Sequence, residues 1–87
     1  MRFEYGPAKS AANKAKHGID FEAAQALWAD PMLLEAPART DGGPRFIVIG
    51  RIGERHWSAI FARRGENTRL ISVRRARREE VEHYEDD

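Results

Sequence analysis

Cysteine is absent from the 87 residues, which excludes disulfide frameworks, thiolate metal sites and thiol nucleophiles. Long apolar runs are missing as well. The longest are four residues, as in Phe46-Ile47-Val48-Ile49, far short of the ~20 that span a bilayer as a helix. No basic stretch followed by an apolar one opens the chain, so no secretory leader is read there and a soluble, cytoplasmic protein is expected. Gly42-Gly43-Pro44 lacks both the Lys-Ser/Thr ending and the following helix of a phosphate loop, which disfavours nucleotide-dependent chemistry. Ser10, Ser58 and Ser72 stand in no Gly-x-Ser-x-Gly setting. The histidines, His17, His56 and His83, fall on separate predicted elements without His-x-x-x-His or His-Glu-x-x-His spacing, so neither a metal nor another cofactor is expected. The length admits a single domain over residues 1–87 and no second one.

Net charge is also nearly lacking, at +1, but its distribution is uneven. Residues 1–38 sum to −1, residues 39–78 to +8, and residues 79–87, six acids and no base, to −6. The cations are twelve Arg and only three Lys. Guanidinium forks onto phosphate oxygens and stacks on bases, whereas ammonium acts as a point charge. Arg-rich composition alone is equally the mark of a GC-rich coding sequence; its clustering on the later strands is what favours a polyanion.

The local patterns predict an α+β domain. Met1–Tyr5 reads as a short strand, ended by Gly6-Pro7, with Pro7 at the first position of a helix running to His17. Alanines 8, 11, 12 and 15 follow helical spacing and suggest a smooth packing face; Lys9, Asn13 and Lys16 share a neighbouring one. Gly18 suits the helix end. Asp20 suits the N-cap of a second helix to about Trp28, with Phe21, Ala24, Leu27 and Trp28 buried. After Asp30-Pro31, Met32-Leu33-Leu34 reads as a short strand and Ala36–Pro44 as a polar turn. Arg45–Arg51, Trp57–Arg63 and Thr68–Arg75 are β-rich runs joined by short Gly-containing connections, a meander. A final helix is predicted over Arg77–Tyr84, with Val81 and Tyr84 inward. The expected architecture is thus a small antiparallel sheet with two N-terminal helices and one C-terminal helix.

Consecutive meander strands gather Arg45, Arg63, Arg64 and Arg69 at one end of the sheet and Arg51, Arg55, Arg74 and Arg75 at the other. Glu80 and Tyr84, four apart, share a helical face. His17 sits at a helix C-terminus, where carbonyls stabilise an imidazolium; a cap is its structural role and a general acid or base its chemical one. For so small an Arg-rich domain two activities remain: binding a polyanion, or cleaving one that carries its own nucleophile. RNA carries such a nucleophile in its 2′-hydroxyl. A protein then need only accept that proton, stabilise phosphate charge and assist departure of the 5′-oxygen.

Several segments, in order, match a known pattern: Phe3-Glu4-Tyr5-Gly6-Pro7-Ala8-Lys9, then Asn13, Lys16-His17-Gly18-Ile19, Phe21-Glu22-Ala23 and Asp30-Pro31. Further on come Arg45–Gly50, Arg64-Gly65, Arg69–Ala76, and the spaced Glu80 and Tyr84. Together they make the chain resemble the BrnT family of bacterial toxins from type II toxin–antitoxin modules, over nearly its whole length. The resemblance implies a RelE-like fold, an endoribonuclease that inhibits growth, and a BrnA-like antitoxin whose DNA-binding domain alone contacts operator DNA. It departs from the family at Gly6, Val73 and Arg77, none of which removes a candidate group. Carried over residue by residue, it suggests catalytic roles for His17, Arg64, Arg75, Glu80 and Tyr84, and RNA binding by Lys16, Arg69 and Arg74. The rival reading is a non-catalytic basic module that binds an acidic protein or nucleic acid. Which basic rim holds RNA and which meets the antitoxin is open at the level of sequence.

Overall fold

The sequence signals at the start of the chain act as read. In the computed structural model, which describes residues 1–38 and 42–86, Pro7 opens the first helix, α1 (Pro7–His17), and Gly18 ends it in the left-handed conformation at φ 84°. Gly18 donates its N–H to the Lys14 carbonyl, a closure that only glycine makes without strain. Asp20 then caps α2 (Phe21–Ala24) by accepting the Ala23 N–H at 2.8 Å. The expected second helix tightens after one turn into a 3-10 segment, Gln25–Ala29.

Strands β1 (Arg2–Glu4), β2 (Leu34–Ala38), β3 (Arg45–Ile52), β4 (Arg55–Arg64) and β5 (Asn67–Arg75) form one sheet in the order β1-β5-β4-β3-β2, and α3 (Arg78–Glu85) follows. The meander from β2 to β5 is antiparallel as expected. The sheet as a whole is mixed, a correction to the antiparallel expectation, because β1 pairs in parallel with β5. A three-residue strand carries no signal of its direction. The helical segment after it carries the chain across the sheet, so that β2 enters at the far edge.

Two smaller corrections have clear causes. Pro31 and Met32 form a turn and Leu33 follows it without regular structure. The strand begins at Leu34 and runs to Ala38, into the stretch read as a polar turn; residues 39–41 of that stretch lie outside the described residues. The edge position of β2 accommodates Pro37, since alternate N–H groups of an edge strand face away from the sheet and one of them can be lost without a ladder bond. The alanines of α1 are all exposed, and its inward face carries the polar pair Ser10 and Asn13 instead.

That inversion follows from where α1 lies. β1 covers β5 only at Asn67, Thr68 and Arg69, leaving polar backbone further along β5 without a strand partner. Asn13 takes the place of one: its Oδ1 accepts the Val73 N–H (3.1 Å), while its Nδ2 donates to the carbonyls of Val73 (2.9 Å) and Ile19 (2.8 Å). Ser10 Oγ accepts the Phe21 N–H. The helix buries hydrogen-bonding groups because the surface it covers is backbone.

The apolar core lies between the helices and one face of the sheet, here called the core face. Phe21, Ala24 and Leu27 pack on Val48, Trp57, Ala59, Phe61, Leu70 and Val73, with Trp28, Phe3 and Phe46 at the margin. Edge-to-face contacts join Trp28 to Phe3 and to Phe61. Leu70 and Val73 face the same core although three apart, because a bulge opposite Ile60 and Phe61 leaves Ile71 without a register partner. At Gly50 the chain packs closely on the sheet. A methyl there would meet Leu33 Cδ1 at 2.8 Å and Leu27 Cδ2 at 3.1 Å. No helix of the described residues is long and apolar enough to cross a membrane.

Candidate nucleic-acid interface

Side chains alternate across a strand, so the residues between the core positions point to the opposite, outer face. They include Ile47, Ile49 and Arg51 of β3, His56, Ser58, Ile60, Ala62 and Arg64 of β4, and Arg69, Ser72 and Arg74 of β5. Of the described helices only α3 packs there, over one end. The predicted pair of basic ends is present in the register, which sets Arg64 opposite Asn67, Ala62 opposite Arg69, Ser58 opposite Arg74 and Trp57 opposite Arg75. Each end is nevertheless divided between faces, since neighbours along a strand point apart.

At the first end, Arg63 lies towards the core side, over the rings of Phe46 and Phe61, and donates to Glu35 at 2.8 Å. Arg64 and Arg69 share Glu4, at 3.5 and 3.4 Å. Glu4 also accepts from Asn67 at 2.8 Å. That bond, opposed by burial and helped by the two guanidiniums, holds its carboxyl below the usual carboxylate range. One acid against two Arg leaves this corner positive.

At the other end Arg74 and Arg75 separate. Arg75 crosses to the core side and stacks over Trp57, 5.5 Å from the ring centre, with its charge exposed. Arg74 stays on the outer face, clamped by Glu80 through two bonds of 2.8 Å. Glu80 accepts two more, from Ser58 Oγ and the Arg77 N–H, both 2.8 Å. The second is the reach of a helix N3 carboxylate back to the N-cap. Arg74, despite the opposing cost of burial, with Arg77 and Ser58, pulls the Glu80 carboxyl down to about 2. The guanidinium of Arg74 is raised in turn, chiefly by the same bonds and against burial. Glu80 is therefore an anion at neutral pH that fixes an Arg.

Glu80 and Tyr84 share a helix face yet do not touch the same group. Tyr84 donates its hydroxyl to Asp30 Oδ2 at 2.6 Å and stands edge-on to His56. Burial, reinforced by Asp30, pushes its phenol up to about 12. Asp30 accepts additionally from the backbone N–H groups of Met32 and Arg51, and although burial raises it, these bonds and the Tyr84 hydroxyl hold it low. Like Asn13 on β5, Asp30 occupies backbone at an open strand edge, here that of β3 beyond β2. Asp30 and Ser58 were missed as site-building residues. Asp30-Pro31 reads as turn punctuation, and a lone Ser in a strand carries no signal of a partner 22 residues on.

His17 and Lys16 reach the sheet at neither end. They line a cleft of about 240 Å³ with Lys9, Ala12, Asn13, Ile71 and Ser72, beside the stretch of β5 between Arg69 and Arg74. No acidic residue lines this cleft. Ser72 belongs to the outer face, so the cleft opens beside it, and Arg69 and Arg74 lie five residues apart along β5, roughly 16 Å. The outer face is thus bordered by Arg64 and Arg69, by Lys16 and His17, and by Arg74 under α3. Lys9, read from sequence only as a face-mate of Lys16, joins the same border. Among the described residues no group of three or more metal-ligating side chains converges.

A small α+β domain with one open sheet face bordered by cations is a form suited to a polyanion, and the family comparison gives that class its name: ribonuclease toxins of type II toxin–antitoxin systems. The family model is that of the ribonuclease toxin BrnT, and it matches residues 5–80. The chain belongs to the BrnT family. A search of curated proteins finds no match.

Proposed function

We propose that this protein is the toxin of a cytoplasmic type II module, a metal-independent endoribonuclease of RelE-like architecture that inhibits growth and is silenced by a BrnA-like antitoxin with a DNA-binding domain. The observation that carries the reading is the BrnT match over residues 5–80, which takes in every bordering cation of the outer face from Lys9 to Arg74. RNA lies along β5. Lys16, Arg69 and Arg74 hold its phosphates and Arg64 adds charge at one end, while Arg75, on the core side over Trp57, contributes only long-range positive charge.

The reaction needs a 2′-O–P bond to form and the P–5′-O bond to break, leaving a 2′,3′-cyclic phosphate and a 5′-hydroxyl. His17 is the proton-transfer group best supported by its surroundings, since it shares an acid-free cleft with Lys9 and Lys16. It removes the 2′-proton, the cations stabilise the pentacoordinate phosphate, and the leaving 5′-oxygen takes up a proton from solvent. Glu80 positions Arg74. Tyr84, neutral at pH 7 with a phenol near 12, gives its one proton to Asp30 and does not act as a base. It lies beyond the matched segment.

The test is incubation of the purified protein with RNA in EDTA, followed by analysis of the product ends. Cyclic phosphate termini are expected, with about a hundredfold or greater loss in His17→Ala, as for removal of a general base. Cleavage no faster than that of His17→Ala and Arg75→Ala controls would leave the non-catalytic binding module as the better reading.

A further inference from the structure

The middle of the outer face is unlike its border. Ile47, Ile60 and Ala62 are side by side in the register, with Ile47 opposite Ile60 and Ala36 of β2 opposite Ile47; all four are partly exposed. Leu34, opposite Ile49, is 37% exposed. Of the described helices only α3 lies on this face, and its contacts, at Ser58 and His56, fall at one end.

Single-stranded RNA is held on such platforms by aromatic rings that stack on bases. No Phe, Tyr or Trp ring is available here, and His56 is engaged by Glu85 and Tyr84. Seven of the eight aromatic residues lie in or against the core, and the eighth, Tyr84, is engaged by Asp30. Branched aliphatic side chains on a sheet instead suit packing against another protein's apolar residues. The charges beside them are not symmetric. Arg45, Arg64 and Arg69 gather at one end, where Glu4 meets only Arg64 and Arg69, whereas at the α3 end the exposed Arg51, Arg55, Arg77 and Arg78 stand among the exposed Glu79, Glu82 and Glu85.

We propose that the centre of the outer face, Ile47, Ile60 and Ala62, is the docking surface for an amphipathic segment of the antitoxin. Its apolar side covers these residues, and its acidic side chains meet Arg45, Arg64 and Arg69. The inference rests on the toxin reading for the existence of a protein partner. A segment seated there borders the cleft of Lys16 and His17 and occupies two of the cations assigned to RNA, so binding and inhibition are one event.

The experiment is calorimetric titration of the purified toxin with the purified antitoxin encoded beside it, using wild type, Ile60→Lys, Ile60→Val and Arg45→Glu. Each variant is first shown by circular dichroism to melt cooperatively. Ile60→Lys is expected to weaken binding by about thirtyfold or more, the scale of a buried hot spot. Arg45→Glu is expected to weaken it about tenfold with a steeper salt dependence, and Ile60→Val to bind within about threefold of wild type. RNA cleavage by Ile60→Lys persists and escapes inhibition. Arg45→Glu, altered at a strand end, keeps the test decisive if a lysine at position 60 prevents folding.

Affinities of Ile60→Lys and Arg45→Glu within threefold of wild type would overturn the proposal. So would a wild-type dimer in sedimentation that Ile60→Lys converts to monomer, because the face then belongs to a second copy. A loss of RNA binding in these variants with antitoxin binding intact would assign the face to RNA instead. Absence of RNA cleavage by wild type with the expected titration results removes the nuclease reading alone.

Discussion

Replacing Glu80 by Gln tests whether the acidic end of the chain is structural or reactive. Glu80 Oε1 accepts from Ser58, Arg77 N–H and Arg74, and Oε2 takes the second nitrogen of Arg74. Glutamine can keep the three bonds at one oxygen but turns an N–H donor toward the guanidinium and removes the charge. Breaking a buried ion pair costs about 3–5 kcal/mol. Arg74 and Glu80 remain 22% and 15% exposed, so water recovers part of this and about 2 kcal/mol is expected. For a domain of this size that lowers Tm by roughly 8–16 °C.

The pH dependence has a definite sign. Glu80 is depressed from 4.5 to about 2 on folding, so its contribution is complete above 4.5 and drains away as pH falls through that interval. Urea unfolding of wild type and Glu80→Gln at pH 7, 4 and 2.5 reads both quantities, with the gap shrinking at the lowest pH. The ion-pair reasoning fails if the gap at pH 7 is below about 0.5 kcal/mol, the scatter of ordinary surface substitutions, or if it keeps its full size at pH 2.5. RNA cleavage supplies an independent check. An anion titrating near 2 gives no limb to the rate profile near neutrality, so a limb there that vanishes in Glu80→Gln would refute the positioning role.

Asn13→Ala should cost about 2–4 kcal/mol by urea unfolding, because three backbone groups at Val73 and Ile19 lose their partner out of reach of solvent. Asn13→Asp should be at least as harmful, since a carboxylate cannot donate to the two carbonyls. Gly50→Ala should destabilise by about 1–3 kcal/mol through overpacking against Leu33 and Leu27, visible as a lower urea midpoint with the slope unchanged. Tyr84→Phe should cost about 1–2 kcal/mol for the bond to Asp30. In wild type, ultraviolet titration should show one tyrosine ionising near 12, and that step should disappear in the variant.

Particular residues show how far sequence reaches. Pro7, Gly18 and Asp20 mark helix ends by rules that concern only the neighbouring residues, and all three act as read. The alternation of β3, β4 and β5 likewise states which residues are strand and which lie at each sheet end. The alanines of α1 mislead because periodicity reports which face is apolar, not what it must cover. Where the covered surface is the unpaired backbone of β5, the inward residues are Ser10 and Asn13. Glu80 and Tyr84 show the same limit: their spacing gives a shared helix face, while their partners Arg74, Ser58 and Asp30 come from three other segments.

By itself the sequence determined most of the elements, the Arg-rich later strands beneath a near-zero net charge, and the family, because these are properties of local order and composition. Tertiary structure alone decided that Arg74 and Arg75 part to opposite faces, that Glu4 and Glu80 restrain three of the Arg residues, and that Lys16 and His17 open beside Ser72. Those facts depend on which strand edges are left without a neighbour, and an unsatisfied edge exists only once the sheet has formed.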